Sequence, residues 1–169
     1  MPFREISTRD LTMNVFERIG TDWMLVTAGD ENSHNTMTAS WGQFGFLWNK
    51  PVATVYVRPQ RYTREFMERE EHFSLSFFAP GERRQALNLL GTKSGRDGDK
   101  ISEASLHVQM LEGAPAFEEA QLVVVCRKLY AQDMQTECFL DEAVVKTMYP
   151  RQDFHRMYVG EIIRVYENR

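Results

Sequence analysis

Two cysteines, four histidines and six prolines are spread over 169 residues, and each scarcity removes a class of protein. Cys126 and Cys138 stand twelve positions apart and make no Cys-x-x-Cys pair. A disulfide scaffold needs more cysteines than this, and neither is expected to be bridged in a reducing compartment. Cys126 closes the apolar run Leu122-Val123-Val124-Val125 and reads as a small buried hydrophobe. His34, His72, His107 and His155 are scattered, with no pair at metal-ligand spacing, so no metal centre is expected. The chain lacks the glycine fingerprint of a dinucleotide crevice, a Walker loop and a serine elbow. Positive charge is short too. A net charge of −4 and a pI near 5.6 argue against nucleic acid as a partner, although one small basic pocket stays compatible. No apolar run approaches the roughly 20 residues that span a bilayer. Met1 to Asp10 are charged and hold no apolar segment of a secretory leader. A cytoplasmic protein that engages no membrane is the expectation.

With 43% hydrophobic and 26% charged residues, the composition is that of a globular protein, and the length fits a single domain over 1–169. β-like stretches dominate. Trp23 to Ala28 is apolar and stops at the turn cluster Gly29-Asp30-Glu31-Asn32. Asn35 to Trp41, Val52 to Val57, Phe73 to Phe78, Gln121 to Tyr130, Glu137 to Leu140 and Met157 to Tyr166 read as further strands. Phe73, Leu75 and Phe77 alternate with Ser74 and Ser76, the pattern of a half-buried strand. Helices are predicted over Thr63 to Arg69, Gly81 to Leu90 and Asp141 to Lys146. Six or more short strands with few helices between them predict a mainly β fold, a β-barrel with helical decorations, and disfavour a parallel βαβ sheet.

Three constellations can carry chemistry. In Asn35-Thr36-Met37-Thr38-Ala39-Ser40-Trp41, strand alternation puts Met37, Ala39 and Trp41 on one face and three hydroxyls on the other. A flat heteroaromatic ring suits such a strand, and so does an ordinary solvated hydroxyl face. Trp41 either meets a bound ring or, as strand aromatics usually do, packs into the core. In Val57-Arg58-Pro59-Gln60-Arg61-Tyr62-Thr63, a strand runs into a predicted helix start with Thr63 as N-cap. Arg58 and Arg61 oppose the helix dipole there unless an anion is bound, so a phosphate grip and a solvated corner are both open. Gly91 to Lys100 is polar and glycine-rich. Its segment Ser94-Gly95-Arg96-Asp97-Gly98-Asp99-Lys100 is either a ligand-covering loop or a surface connection.

These segments occur together and in this order in a known family. The chain resembles the flavin reductase-like FMN-binding split barrels, most closely the flavoredoxin-type branch. The resemblance rests on Asn35 to Gly42, on Arg58-Pro59-Gln60-Arg61-Tyr62-Thr63 and on Ser94 to Lys100. It extends to Ile19-Gly20-Thr21-Asp22-Trp23-Met24-Leu25-Val26-Thr27 and to His155-Arg156-Met157-Tyr158-Val159-Gly160-Glu161-Ile162, nearly the whole chain. It implies a six-stranded split barrel of Greek-key type, a homodimer, and FMN near the subunit interface. Thr38, Ala39, Ser40 and Trp41 would meet the flavin. Arg58, Arg61, Tyr62 and Thr63 would hold its phosphate, and Ser94, Gly95, Arg96 and Lys100 would cover it. His155, five residues before Gly160, would be the catalytic histidine on the flavin's reactive side, a partly exposed structural histidine being its other reading. The family commonly has Asp just before that histidine. Here the neighbour is Phe154, with Asp153 one step earlier. The implied activity is NAD(P)H-dependent flavin reduction, with NADH or NADPH as transient reductant. A flavoredoxin-like carrier with tightly held FMN, passing electrons to a redox-protein partner, is the alternative. Either way the cofactor carries the redox step, which agrees with the lack of a side-chain nucleophile.

Overall fold

Strand alternation gives the sheet two apolar faces, and the chain covers each differently. The computed structural model describes residues 3–168. Its strands are β1 (Arg4–Ile6), β2 (Met24–Gly29), β3 (His34–Ala39), β4 (Gly42–Leu47), β5 (Lys50–Val57), β6 (His72–Phe77), β7 (Val108–Leu111), β8 (Ala114–Phe117), β9 (Leu122–Asp133) and β10 (Arg156–Glu167). The helices are α1 (Val15–Glu17), which runs on as a π-helical turn over Arg18–Asp22, α2 (Thr63–Arg69), α3 (Arg84–Thr92), α4 (Lys100–Glu103) and α5 (Glu142–Met148). None of these is long and apolar enough to cross a membrane.

The main sheet is antiparallel, in the order β3-β2-β6-β9-β10-β5-β4, with β1 on the end of β10. Its two edge strands, β3 and β4, are joined by Ser40 and Trp41 alone, yet they do not pair. The sheet therefore curls until its edges nearly meet and stays split between them. Met24, Val26 and Met37 from one end share a buried core with Val55, Val57 and Tyr158 from the other, which a flat sheet would not allow. Phe66 and Met67 of α2 join the same core. The opposite face, including Leu25, Val123 and Val125, is covered by α3, α4 and the β7–β8 hairpin. Covering on both sides explains why Leu122 to Val125 is apolar without alternation. After β5 the chain crosses through α2 and returns as β6 beside β2, a connection of Greek-key type.

The mainly β architecture with helical decorations is as expected, but the main sheet has eight strands where six were expected. β1, β4 and the β7–β8 hairpin carry little periodic signal. Gly42 and Gly45 dilute the strand preference of β4. Glu137 to Leu140, expected as a strand, is instead a 3-10 turn over Thr136–Cys138 followed by irregular chain. The segment follows β9 and pairs with no strand, and Leu140 is fully exposed. Predicted helix 81–90 begins later and runs on to Thr92, taking Gly91 out of the expected loop.

β10 changes register against β9 between Val159 and Gly160 and again between Ile162 and Arg164. Such bulges bend a strand, as a curled sheet requires. A Cβ on Gly160 would lie 2.8 Å from the Cys126 Cβ and from the Phe73 ring. Gly160→Ala is therefore expected to lower stability by about 1–3 kcal/mol through overpacking. Gly45→Ala, with no atom within 4 Å of the new methyl, is expected to be neutral or slightly stabilising. Urea unfolding of both variants checks this, and equal losses would remove the close-approach explanation.

Candidate functional site

Strand parity on β5 sends Val55 and Val57 into the core and Tyr56 and Arg58 to the other face. Those two side chains line one wall of a cleft of about 270 Å³. Met37, Thr38 and Ala39 of β3 line the other, with Ser40 and Trp41 between them and Arg61 and His155 completing the lining. The cleft thus lies where the two edges of the sheet diverge.

One end is aromatic and uncharged. Trp41 is 43% exposed, outside the core, with its ring centroid 5.2 Å from that of His155. Of the two readings of Trp41, inward packing does not occur, because β3 ends at Ala39 and the alternation stops there. His155 itself is only 7% exposed. Its Nδ1 lies 2.7 Å from the Tyr149 hydroxyl, and the Tyr56 ring meets it edge-on. Burial first, then the Arg58 charge, push the His155 pKa down to about 4 against the opposing pull of Asp153. The imidazole is neutral near pH 7.

The Arg58 charge is already answered. Its Nη1 pairs with Asp153 at 2.8 Å, its Nη2 donates to the Met148 carbonyl, and the guanidinium lies over the Tyr149 ring. Asp153, also bonded by Gln60, is held below the usual carboxylate range by that bond and by Arg58. Arg58 is thus fastened to the segment that carries His155.

The other end is cationic and unanswered. Arg61 donates to the carbonyls of Gly91 (2.7 Å) and Leu90 (3.4 Å) at the end of α3. Lys100, 3% exposed, donates to Leu90 and Lys93 carbonyls from behind. A helix C-terminus favours cations. Among the described residues, however, neither Arg61 nor Lys100 has a carboxylate partner, and buried charges are ordinarily paired. Burial, with Arg61 beside it, pushes Lys100 down to about 8. Burial also lowers Arg61, which stays charged.

The remaining expected residues gather at the same corner, and all of them but Thr38 lie outside the cleft lining. Thr38 donates to the Leu87 carbonyl of α3. Thr63 is the first residue of α2 and not its N-cap; Tyr62 precedes the helix with no side-chain cap. The Thr63 hydroxyl is buried and accepts from Asn35 at 2.8 Å. Gly95 packs on Asn35 and Tyr62 so closely that any Cβ would collide. Ser94 caps the turn Gly95–Asp97, and Arg96 lies over Tyr62 and pairs with Glu65. Gly95 is here a packing glycine. Tyr56, Asn35, Asp153 and Tyr149 are the site residues that sequence reasoning passed over. Parity with Arg58 on one strand points to Tyr56. Nothing local in the sequence marks Tyr149.

Residues 16–169 match the flavin reductase like domain family. The chain belongs to that family. No curated protein matches it. Among solved structures it is similar to a flavoredoxin from Methanosarcina acetivorans, with 24% identity, a TM-score of 0.66, and coverage of 87% of this chain and 68% of the other. An FMN-binding domain of a flavin reductases-like enzyme from Shewanella baltica gives 16% identity and a TM-score of 0.69 over 98% and 77%. An NADH:FAD oxidoreductase from Streptomyces globisporus gives 17% and 0.66 over 88% and 75%. At these identities the likeness is one of fold. The whole cleft of this flavin reductase-like chain falls within the matched residues.

A histidine neutral when folded gives stability a pH dependence. The folded state takes this proton near pH 4, and the unfolded chain takes it near its ordinary value of about 6.5. Between those values the unfolded state binds more protons, so stability falls as pH drops. The melting temperature is expected to fall from pH 7 to pH 4.5, and to fall less in His155→Asn. Parallel curves for the two proteins would contradict the burial of a neutral imidazole.

Proposed function

We propose that the chain is an FMN-binding oxidoreductase that takes electrons from NADH or NADPH and passes them to flavin. The observation that carries this reading is a cleft with two unlike ends, aromatic and neutral at Trp41 and His155, cationic and unpaired at Arg61. A flat ring with an anionic tail fits that polarity, and the FMN-binding fold neighbours support FMN as the molecule. Bound FMN would supply hydride acceptance and the transfer of electrons singly or in pairs.

The chain's own part is to bind and orient. Arg61, with Lys100 behind it, faces the phosphate with N–H groups that the α3 carbonyls leave free. Tyr62, Thr63, Ser94, Gly95 and Arg96 build the corner that holds Arg61 in place. Thr38, Ala39 and Ser40 offer hydroxyl and backbone groups to the polar edge of the ring, and Trp41 offers a flat surface. Arg58 contributes chiefly by anchoring the Asp153–His155 segment. His155 stands at the ring end as the catalytic histidine, neutral and able to donate or accept one hydrogen bond. Phe46 and Leu47 are exposed on the open edge strand β4 and Trp48 in the turn after it, which supports a homodimer that covers this edge.

One observation favours a second reading. Phe154 occupies the position before His155, where the family commonly has Asp, which suits a flavoredoxin-like carrier with no direct NAD(P)H reaction. Oxidation of NADH or NADPH with added FMN separates the two. Turnover with either is expected, and none with both would leave the carrier.

Hydrogen bonds to a charged group contribute about 1.5–3 kcal/mol each, so Arg61→Met is expected to weaken FMN binding by about 10–150-fold. The melting temperature of the FMN-free protein should change little, because the lost bonds only cap a helix end. Fluorescence titration with FMN measures the affinity. Equal affinity in variant and parent would sink the phosphate assignment.

A further inference from the structure

We infer that Tyr149 is a positioning residue for His155, its hydroxyl donating to Nδ1 so that the imidazole presents an Nε2–H donor to the cleft. The inference rests on the reading above of the cleft as the flavin site.

Four features carry it. First, the Tyr149 oxygen is 2.7 Å from His155 Nδ1, a full-strength hydrogen bond in a buried setting. Second, Nε2 has no protein partner among the described residues, yet it is not among the buried polar atoms left without one. The ring lines the cleft, so Nε2 is the edge that meets it. Third, the proton between the two residues has only one good destination. The other acceptor within reach of the Tyr149 hydroxyl is the Met134 sulfur at 3.6 Å, a weak one. A phenol is also the stronger donor of the pair and a neutral imidazole nitrogen the stronger acceptor. Fourth, Tyr149 is buried and packed on several sides. Its ring is packed against Phe139 and Phe154, with the Arg58 guanidinium over it. Arg58 is in turn tied to Asp153 and to the carbonyl of Met148, the residue before Tyr149.

The ionisable groups around the imidazole are Tyr56 from β5, Arg58 just past its end, and Tyr149 and Asp153 from the chain before β10. Arg58 is the one cation, and it disfavours a second positive charge on His155. A phenol donating to Nδ1 acts in the same direction, because an imidazolium has no lone pair left to accept with. Phe154, at the place where the family commonly has Asp, then takes a structural meaning. Its ring holds Tyr149, and Tyr149 supplies the hydrogen bond that fixes His155. The tautomer, rather than a charge, defines what His155 offers to a ligand, a single neutral donor.

The test reads the tautomer directly. Long-range ¹H–¹⁵N spectra of the ¹⁵N-labelled chain without added cofactor distinguish Nδ1–H from Nε2–H imidazoles, and loss of a signal in His155→Asn assigns His155. The parent is expected to show Nε2–H at pH 7, and Met134→Leu to show the same. Tyr149→Phe is expected to lose this preference. FMN affinity should be unchanged in Tyr149→Phe, whereas NAD(P)H oxidation should fall about tenfold, the scale of one hydrogen bond. An Nδ1–H parent, a tautomer that follows Met134→Leu, or an unaltered signal in folded Tyr149→Phe would overturn the inference. If Tyr149→Phe does not fold, the parent and Met134→Leu spectra still decide it. The expected spectra in a chain that takes up no FMN would support the role of Tyr149 and overturn the proposed function alone.

Discussion

The register between β5 and β10 sets the geometry of the cleft. Val57 stands opposite Arg156, so Arg58, just past the end of β5, is brought beside His155, just before the start of β10. The same two strands supply Val55, Val57, Tyr158 and Ile162 to the interior. A slip by one residue would turn these side chains out of the core, so burial enforces the register that aligns the site. Asp153 then pairs with Arg58 across the mouth of this ladder and holds the incoming chain against the end of β5. The site is thus built on strands packed into the core, although most of its residues lie on connections.

The three cations of the site are held in two different ways. Arg58 has a carboxylate and behaves as a structural clamp. Arg61 and Lys100 have only carbonyls, whose dipoles satisfy donors without neutralising charge. Burying two cations side by side is unfavourable unless something negative is bound for part of the protein's life. Burial, and after it the neighbouring Arg61 charge, lower the pKa of Lys100 in the same sense. Pairing by Asp153 and the absence of pairing at Arg61 therefore separate two arginines that sit three residues apart and look alike in sequence.

Much of this was legible from residue order, and the rest was not for identifiable reasons. An apolar run marked β2, β-branched residues marked β5 and alternation marked β6, and α2 was placed at Thr63 to Arg69 as found, but β6 is not half-buried as expected, because both of its faces are covered and Ser74 and Ser76 are fully buried. The eight-strand count was not, since β1 is three residues long and β4 carries two glycines. The core-packing reading of Trp41, one of its two, carried the alternation of β3 two residues too far. The capping role given to Thr63 failed because α2 already includes it, and its hydroxyl instead accepts from Asn35, a partner 28 residues away that no local rule supplies. Tyr149 was invisible for the same kind of reason. Its meaning lies in a hydrogen bond whose geometry depends on how α5 docks against the end of β5.

Taken as one electrostatic object, the cleft orders what can bind in it. At neutral pH its His155 end carries no net charge on the imidazole, and its Arg58 charge is balanced by Asp153. Only the Arg61 end offers uncompensated positive charge to a ligand in the cleft. A ligand with an anion at one end and a flat apolar body at the other has therefore one favourable orientation. Reversed, it would bury the anion against Trp41 and a neutral imidazole, and leave Arg61 facing apolar surface, so both partners would lose their solvation without exchange. Were His155 charged, both ends would attract the anion and that preference would weaken. The buried, neutral histidine and the unpaired arginine thus act together, and the direction in which a ligand lies follows from the difference between them.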